Sequence, residues 1–271
     1  MHLSSYSLGA FFVILLGYII QSSFLQYVFY YKSQGNKSHY SWKIQKDKDA
    51  SIGKLWLHPL FSNKPRGPYH GIFSTINLLL ASLFALLVTE MSSRRLNHMR
   101  FDAVASSSGW LTILKEVLFA ICWQSVLEYY WHRMMHTNLF YATLHKYHHF
   151  YKSPEPFDDM YIHPLEAFGY YCILYSPPFA FEIHYMAFIT YMIVMGICGV
   201  LDHAGIAFQV PLIYNTKDHD DHHLKFKVNY SFPFPFMGKF IKQLIFVFYE
   251  PPHPFLLTLR HFKIRYAAWD I

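Results

Sequence analysis

The chain has 271 residues, of which 53% are apolar, 20% aromatic and only 15% charged, with a formal net charge of +6. A water-soluble domain carries roughly 25% charged residues, so the composition excludes an ordinary soluble enzyme and favours a membrane protein. No nucleic-acid motif accompanies the positive charge, which fits basic loops beside anionic lipid, and Cys122, Cys172 and Cys198 lie in apolar stretches without metal-type spacing.

Residues 8–31 form a charge-free apolar run long enough to cross ~30 Å of hydrocarbon. The run is too long for a cleaved signal and lacks a basic start, so it reads as a retained anchor. A basic loop follows over 32–70, then a second span over 71–91 and a short polar connection over 92–108. The apolar segment 110–130 is interrupted by Lys115, Glu116 and Glu128, which predicts a helix whose polar face meets protein. Residues 165–201 are too long for one span, and Ser176-Pro177-Pro178 breaks them into a hairpin of two helices. The short apolar piece 244–249 reads as re-entrant or interfacial. Residues 1–31 carry no Lys or Arg, whereas loop 32–70 carries eight. The positive-inside rule therefore places the N-terminus outside and loop 32–70 in the cytosol. Counting spans from there brings the histidine-rich stretches after 131 and after 201 to that same cytosolic side.

Histidine is the anomaly, with 18 residues. Eight stand apart: His2, His39, His58, His70, His98, His184, His253 and His261. The other ten are His132 and His136, His145, His148 and His149, His163, His203, and His219, His222 and His223. Spacings of three and four place imidazoles on one helix face, one turn apart. Burying so many without partners would cost on the order of 1–3 kcal/mol each, and a metal removes that cost. Arg133 stands where a zinc protease needs Glu, and no cysteine is near, as structural zinc sites often require. Ten imidazoles exceed the needs of one ion and suit two. Two irons can share the redox work of oxygen cleavage, which zinc cannot do. Carboxylates should accept the outer N–H groups of the histidines. Candidates are Glu128, Asp158, Asp159, Asp218, Asp220 and Asp221, with Glu166 and Asp202 best placed beside apolar runs.

The ordered set His132-x3-His136, His145-x2-His148-His149 and His219-x2-His222-His223 resembles the fatty acid hydroxylase/sterol desaturase superfamily. His163-Pro-Leu-Glu166, Asp202-His203-Ala-Gly205 and Asn229-Tyr230-Ser231 strengthen the likeness, which is nearest to the sterol 4-methyl oxidase and sphingoid-base hydroxylase branches. The resemblance implies an all-α fold: an integral membrane bundle of about four transmembrane helices under a helical cytosolic cap that holds a dimetal histidine site. It implies the eight clustered histidines as ligands, with His163 and His203 completing the set or adjoining it, and Glu166 and Asp202 behind them. Two Fe ions are the expected cofactor, though zinc can fill such a site in a purified sample. Molecular oxygen is the oxidant, and a separate donor such as cytochrome b5 or a reductase supplies electrons, docking on the basic loop at Lys43, Lys46 and Lys48.

The expected organisation is an N-terminal anchor and basic loop over 1–110, a histidine-rich fatty acid hydroxylase-like domain over 111–250, and a C-terminal tail over 251–271. The expected activity is hydroxylation or desaturation of a sterol, sphingoid base or fatty acyl chain, taken sideways from the bilayer of the endoplasmic reticulum or another internal membrane. The alternative is a non-catalytic metal-binding subunit of a larger membrane complex.

Overall fold

A computed structural model describes residues 2–32, 41–46, 67–104, 107–231, 233, 234 and 238. Six helices organise it: α1 (Ser5–Leu25), α2 (His70–Ser93), α3 (Ser107–Met135), α4 (Pro164–Leu174), α5 (Tyr185–Asp202) and α6 (Thr216–Lys225). α1 continues through a wider turn over Gln26–Tyr31. Four helices are long and apolar enough to cross a membrane: Ser5–Tyr31, His70–Ser93, Gly109–Met135 and Tyr185–Asp202. The protein is thus an all-α membrane bundle. The 165–201 stretch does divide at the Pro-Pro pair, but unequally. α4 has 11 residues, ~16 Å at the usual helical rise, and only α5 is long enough to span.

Caps set the helix starts. Ser4 Oγ accepts from Ser7 N at 3.1 Å, while Ser7 Oγ and Ser4 N donate to Glu90 Oε2 at 2.8 and 3.0 Å. The same carboxylate therefore pins the start of α1 to the end of α2. Pro164 at N1 opens α4, with a fixed φ that suits the first turn. Asn215 Oδ1 accepts from Lys217 N at 3.0 Å to start α6.

The core lies between α2, α3, α4 and α5, where Ala81, Ala85, Ala120, Ala167 and Ala187 meet Tyr171, Tyr191 and Met195. Small residues let the helix backbones approach closely where lipid supplies no hydrophobic drive for association. Large apolar side chains point outward instead, among them Phe12, Leu16 and Ile20 on α1 and Leu79, Leu83 and Leu87 on α2. On α3, Glu116 is paired with Arg100 and accepts from His184 N at 2.7 Å, and Glu128 is buried. These two carboxylates meet protein as the sequence predicts, whereas Lys115 is exposed.

Two small ladders tie the loops. β1 (Met99–Arg100) pairs in parallel with β2 (Ile183–His184), and β3 (Gln209–Val210) pairs antiparallel with β4 (Tyr214–Asn215). After α5 the chain turns sharply at Gly205, whose φ is +65°. A Cβ there would lie 2.8 Å from Pro154 O and from Tyr30 Oη, so only glycine fits. Tyr30 Oη also donates to Ala204 O at 2.6 Å, which fixes the end of α5 against α1.

The basic loop needs one correction. Lys43 is 2% exposed, donates to Gln45 O at 3.0 Å and pairs through its backbone with Ile206. Its charge is not offered to a docking partner. Lys46 is exposed, and Lys48 lies outside the described residues, as does the apolar piece 244–249.

Candidate metal centre

Nine of the ten candidate histidines converge in two adjoining groups: His132, His136, His145, His149 and His222 in one, and His148, His203, His219 and His223 in the other. Within each group the potential ligand atoms all lie within 4.8 Å of one another. Members four residues apart share a group, as they share a helix face: His132 with His136, His145 with His149, His219 with His223. Each His-His pair is divided between the two groups. His148 and His149 start a tight helical turn that follows the wider turn over Tyr141–His145, so consecutive rings point apart. His222 and His223 do the same on α6.

Four of the nine outer nitrogens have acceptors. His145 Nδ1 donates to Glu166 Oε1 at 2.6 Å, His222 Nδ1 to Val228 O at 2.6 Å and His132 Nδ1 to Tyr230 O at 3.1 Å. His203 Nδ1 faces Asp159 Oδ1 at 3.0 Å and Gly199 O at 2.9 Å. A neutral imidazole has one N–H and one lone pair. The Nε2 atoms of His145, His222 and His203 are therefore lone pairs, an assignment made from their partners.

Those lone pairs face other imidazoles. His136 Nε2 lies 3.0 Å from His145 Nε2 and 3.1 Å from the Nε2 atoms of His149 and His222, and the last two are 3.1 Å apart. In the second group His219 Nε2 is 2.9 Å from His203 Nε2 and 3.2 Å from His223 Nε2. The protons available to such a cluster cannot satisfy every pair, and His132 Nε2 and His149 Nδ1 are buried without a partner. A cation at each convergence would take all the inward lone pairs at once, so the donor set fits metal.

Burial pushes six of these rings toward the neutral form that metal binding requires. It pushes His136 down to about 2, with neighbouring His145 and His222 adding to the effect. It pushes His222 down to about 3, against the opposing hydrogen bond to Val228 O. His148, His149, His219 and His223 are all lowered, first by burial and then by one another. In His203 burial acts downward too, but the hydrogen bond and charge of Asp159 outweigh it, so that ring is raised.

The sign for stability follows. Above the ordinary value of 6.5 both folded and unfolded chains hold these rings neutral. Below it the unfolded chain takes up protons and the folded one does not. Each lowered ring then costs the folded state about 1.4 kcal/mol per pH unit until its own depressed pKa is reached. The metal-free chain should therefore melt at a markedly lower temperature at pH 5.5 than at pH 7.5. Equal melting temperatures at the two values would contradict neutral burial.

Two expected site residues lie elsewhere. His163 is outside both groups: its Nδ1 accepts from Leu165 N at 3.2 Å as the cap of α4, and its ring packs on Phe73 and Tyr147. Its place before Pro164 is explained by capping. Asp202 does not back His203. Neighbours on a helix point ~100° apart, and Asp202 turns toward Tyr214, whose Oη donates to it at 2.8 Å. Asp159 takes the position expected of Asp202. Asp158 holds His70 Nε2 at 3.3 Å and accepts from Glu155 N at 2.9 Å. Sequence reasoning missed the carbonyls of Val228 and Tyr230, because a backbone acceptor leaves no residue-type signal.

An elongated cavity of about 1050 Å³ reaches this centre. Its walls come from α1, α2, α3, α4 and α5, and His132, His145, His148, His203 and His219 are among its lining residues. Along α1 it reaches from Tyr6 to Gln21, ~22 Å at 1.5 Å per residue. Val13 of α1 and Ile189 and Ile193 of α5 line it and are exposed, so among the described residues the cavity is accessible along these two helices. Gly17 and Gly196 line it too, and a Cβ at either would meet nothing within 4 Å. Gln21 Nε2 bridges the helices at Ile197 O, 3.1 Å away.

Residues 117–243 match the family model for fatty acid hydroxylase. The chain is 30% identical over 182 residues to lathosterol oxidase of Mus musculus, covering 65% of this chain and 60% of that protein. It is 34% identical over 133 residues to Delta(7)-sterol 5(6)-desaturase of Gibberella zeae, covering 48% and 38% respectively. It is 25% identical over 221 residues to C-4 methylsterol oxidase of Schizosaccharomyces pombe, covering 74% and 66%. The chain spans about half the length of the lathosterol oxidases it matches. No solved structure matches it. The stretch that carries the histidine groups thus matches the fatty acid hydroxylase family model and is similar in sequence to sterol oxidases and desaturases.

Proposed function

We propose that the chain is a membrane-bound oxygenase that desaturates or hydroxylates a sterol-class lipid, using O2 and electrons from a separate donor such as cytochrome b5 or a reductase. The observation that carries this reading is the meeting of nine histidines with a lipid-sized apolar cavity. His132, His136, His145, His149 and His222 would hold one iron, and His148, His203, His219 and His223 a second. A redox-active pair supplies the reduction of O2 and the oxidation of an unactivated C–H bond.

The protein's own residues orient and enclose. Glu166 and Asp159 fix the tautomers of His145 and His203 and offset the charge the ions bring. The apolar walls keep water from the reacting carbon, and access along α1 and α5 admits the lipid from the bilayer. The names of the relatives favour a sterol among the lipids that would fit. The basic charge of loop 32–70 supports a cytosolic histidine end, and the sterol-oxidising relatives favour the endoplasmic reticulum.

The test is reconstitution of the purified chain with NADH, a cytochrome b5 reductase, cytochrome b5 and a panel of Δ7 and 4-methyl sterols. Two irons per chain and O2-dependent loss of two hydrogens, or gain of one oxygen, are expected. Full metal loading without sterol-dependent O2 consumption, in a chain that co-purifies with other membrane subunits, would instead establish a non-catalytic subunit.

A further inference from the structure

We propose that Glu128 and Trp131 form a hydroxyl-binding subsite beside the histidines, so that a 3-hydroxysterol lies in the cavity polar head first. The inference rests on the lipid-oxidation reading and assigns the orientation it leaves open.

Glu128 sits one turn before His132 on α3 and lines the cavity, as does Trp131. Its side chain is deeply buried, at 7% exposure. Glu128 Oε2 and Trp131 Nε1 are both buried without a hydrogen-bond partner. Leaving such groups unsatisfied is costly, and a polar atom orphaned in a native site calls for a ligand or another functional reason.

The two atoms differ in kind. An indole N–H only donates, and a carboxylate oxygen accepts. Residues three apart on a helix are neighbours on one face. A hydroxyl matches the pair, since its O–H donates to Glu128 while its oxygen accepts from Trp131.

The indole is also held in place. A Cβ at Gly169 on α4 would overlap the Trp131 ring, so the ring lies directly against the α4 backbone. With the hydroxyl held one turn from His132, the carbon nearest the metals is a few bonds from the head. The tail then runs along the cavity toward Tyr6.

The test compares binding of cholesterol and of its 3-deoxy counterpart, cholest-5-ene, to the metal-loaded full chain in detergent. Wild type should prefer cholesterol at least ~10-fold, equivalent to about 1.4 kcal/mol. Glu128→Leu and Trp131→Phe should each bring the ratio near one, with cholest-5-ene affinity and metal content unchanged. Glu128→Gln, nearly isosteric, should lower the ratio only partly and guards against misfolding. A wild-type ratio near one, binding of neither sterol, or a ratio unmoved in metal-loaded variants overturns the subsite. So does a 3-amino analogue that binds more tightly than cholesterol through Glu128 alone. Because binding is read without turnover, an inactive chain that keeps the cholesterol preference would sink the oxygenase reading and leave the subsite standing.

Discussion

Replacing His222 by alanine is expected to reduce turnover to below ~1% and to remove about half of the bound metal. Its Nε2 lies 3.1 Å from two other Nε2 atoms, and Val228 O holds its ring from behind. Even loss of an outer partner of a ligand costs 10–100-fold in metal affinity or activity, and loss of the ligand exceeds that. The effect on stability should depend on metal. A bound ion stabilises in proportion to the logarithm of its concentration over Kd, so the loaded wild type should melt well above the loaded variant. Without metal the gap should narrow, because alanine also removes one of the crowded lone pairs. His163→Ala is the contrast, since its ring caps α4 and should leave metal content unchanged. Full metal in His222→Ala, or metal loss in His163→Ala, would break the assignment of the groups.

Glu166→Leu should weaken metal binding by ~10–100-fold while the chain still folds, with Glu166→Gln closer to the lower figure. The carboxylate accepts from His145 Nδ1 at 2.6 Å and both side chains are almost fully buried. Leucine leaves that N–H unpaired, whereas the amide oxygen of glutamine still accepts but supplies no charge. Asp202→Asn separates the two kinds of buried carboxylate. Asp202 accepts from Tyr214, and the amide oxygen of asparagine still accepts there, so melting temperature should stay near wild type and metal affinity within a few-fold of it. Metal titration followed by thermal melting of the three variants reads both quantities. The assignment fails if Asp202→Asn loses metal as severely as Glu166→Leu.

The spans were legible because lipid demands long apolar runs, and the Pro-Pro break in 165–201 was legible because proline ends helices. Spacing also announced the metal chemistry, since His132 and His136, or His219 and His223, must share a helix face. The division into groups was not legible. Adjacent residues such as His148 and His149 look like one unit in sequence, yet the tight turn that follows a wider one sends them to different groups. Asp202, beside an apolar run, was the better-placed backing candidate, and only the packing of Tyr214 on Asp202 turns the choice to Asp159. His163 misled for a local reason, because a ring before Pro164 caps a helix as readily as it binds an ion.

Access to the cavity along α1 and α5 would change what saturation means for the sterol oxygenase proposed above. Substrate arriving through it comes from a two-dimensional fluid, so occupancy follows molecules of sterol per molecule of lipid and not the amount per litre. Extra phospholipid then behaves as a diluent even when nothing in the water has changed. A cell could govern flux through this protein by enriching or depleting sterol in one membrane, with no change in the protein's abundance.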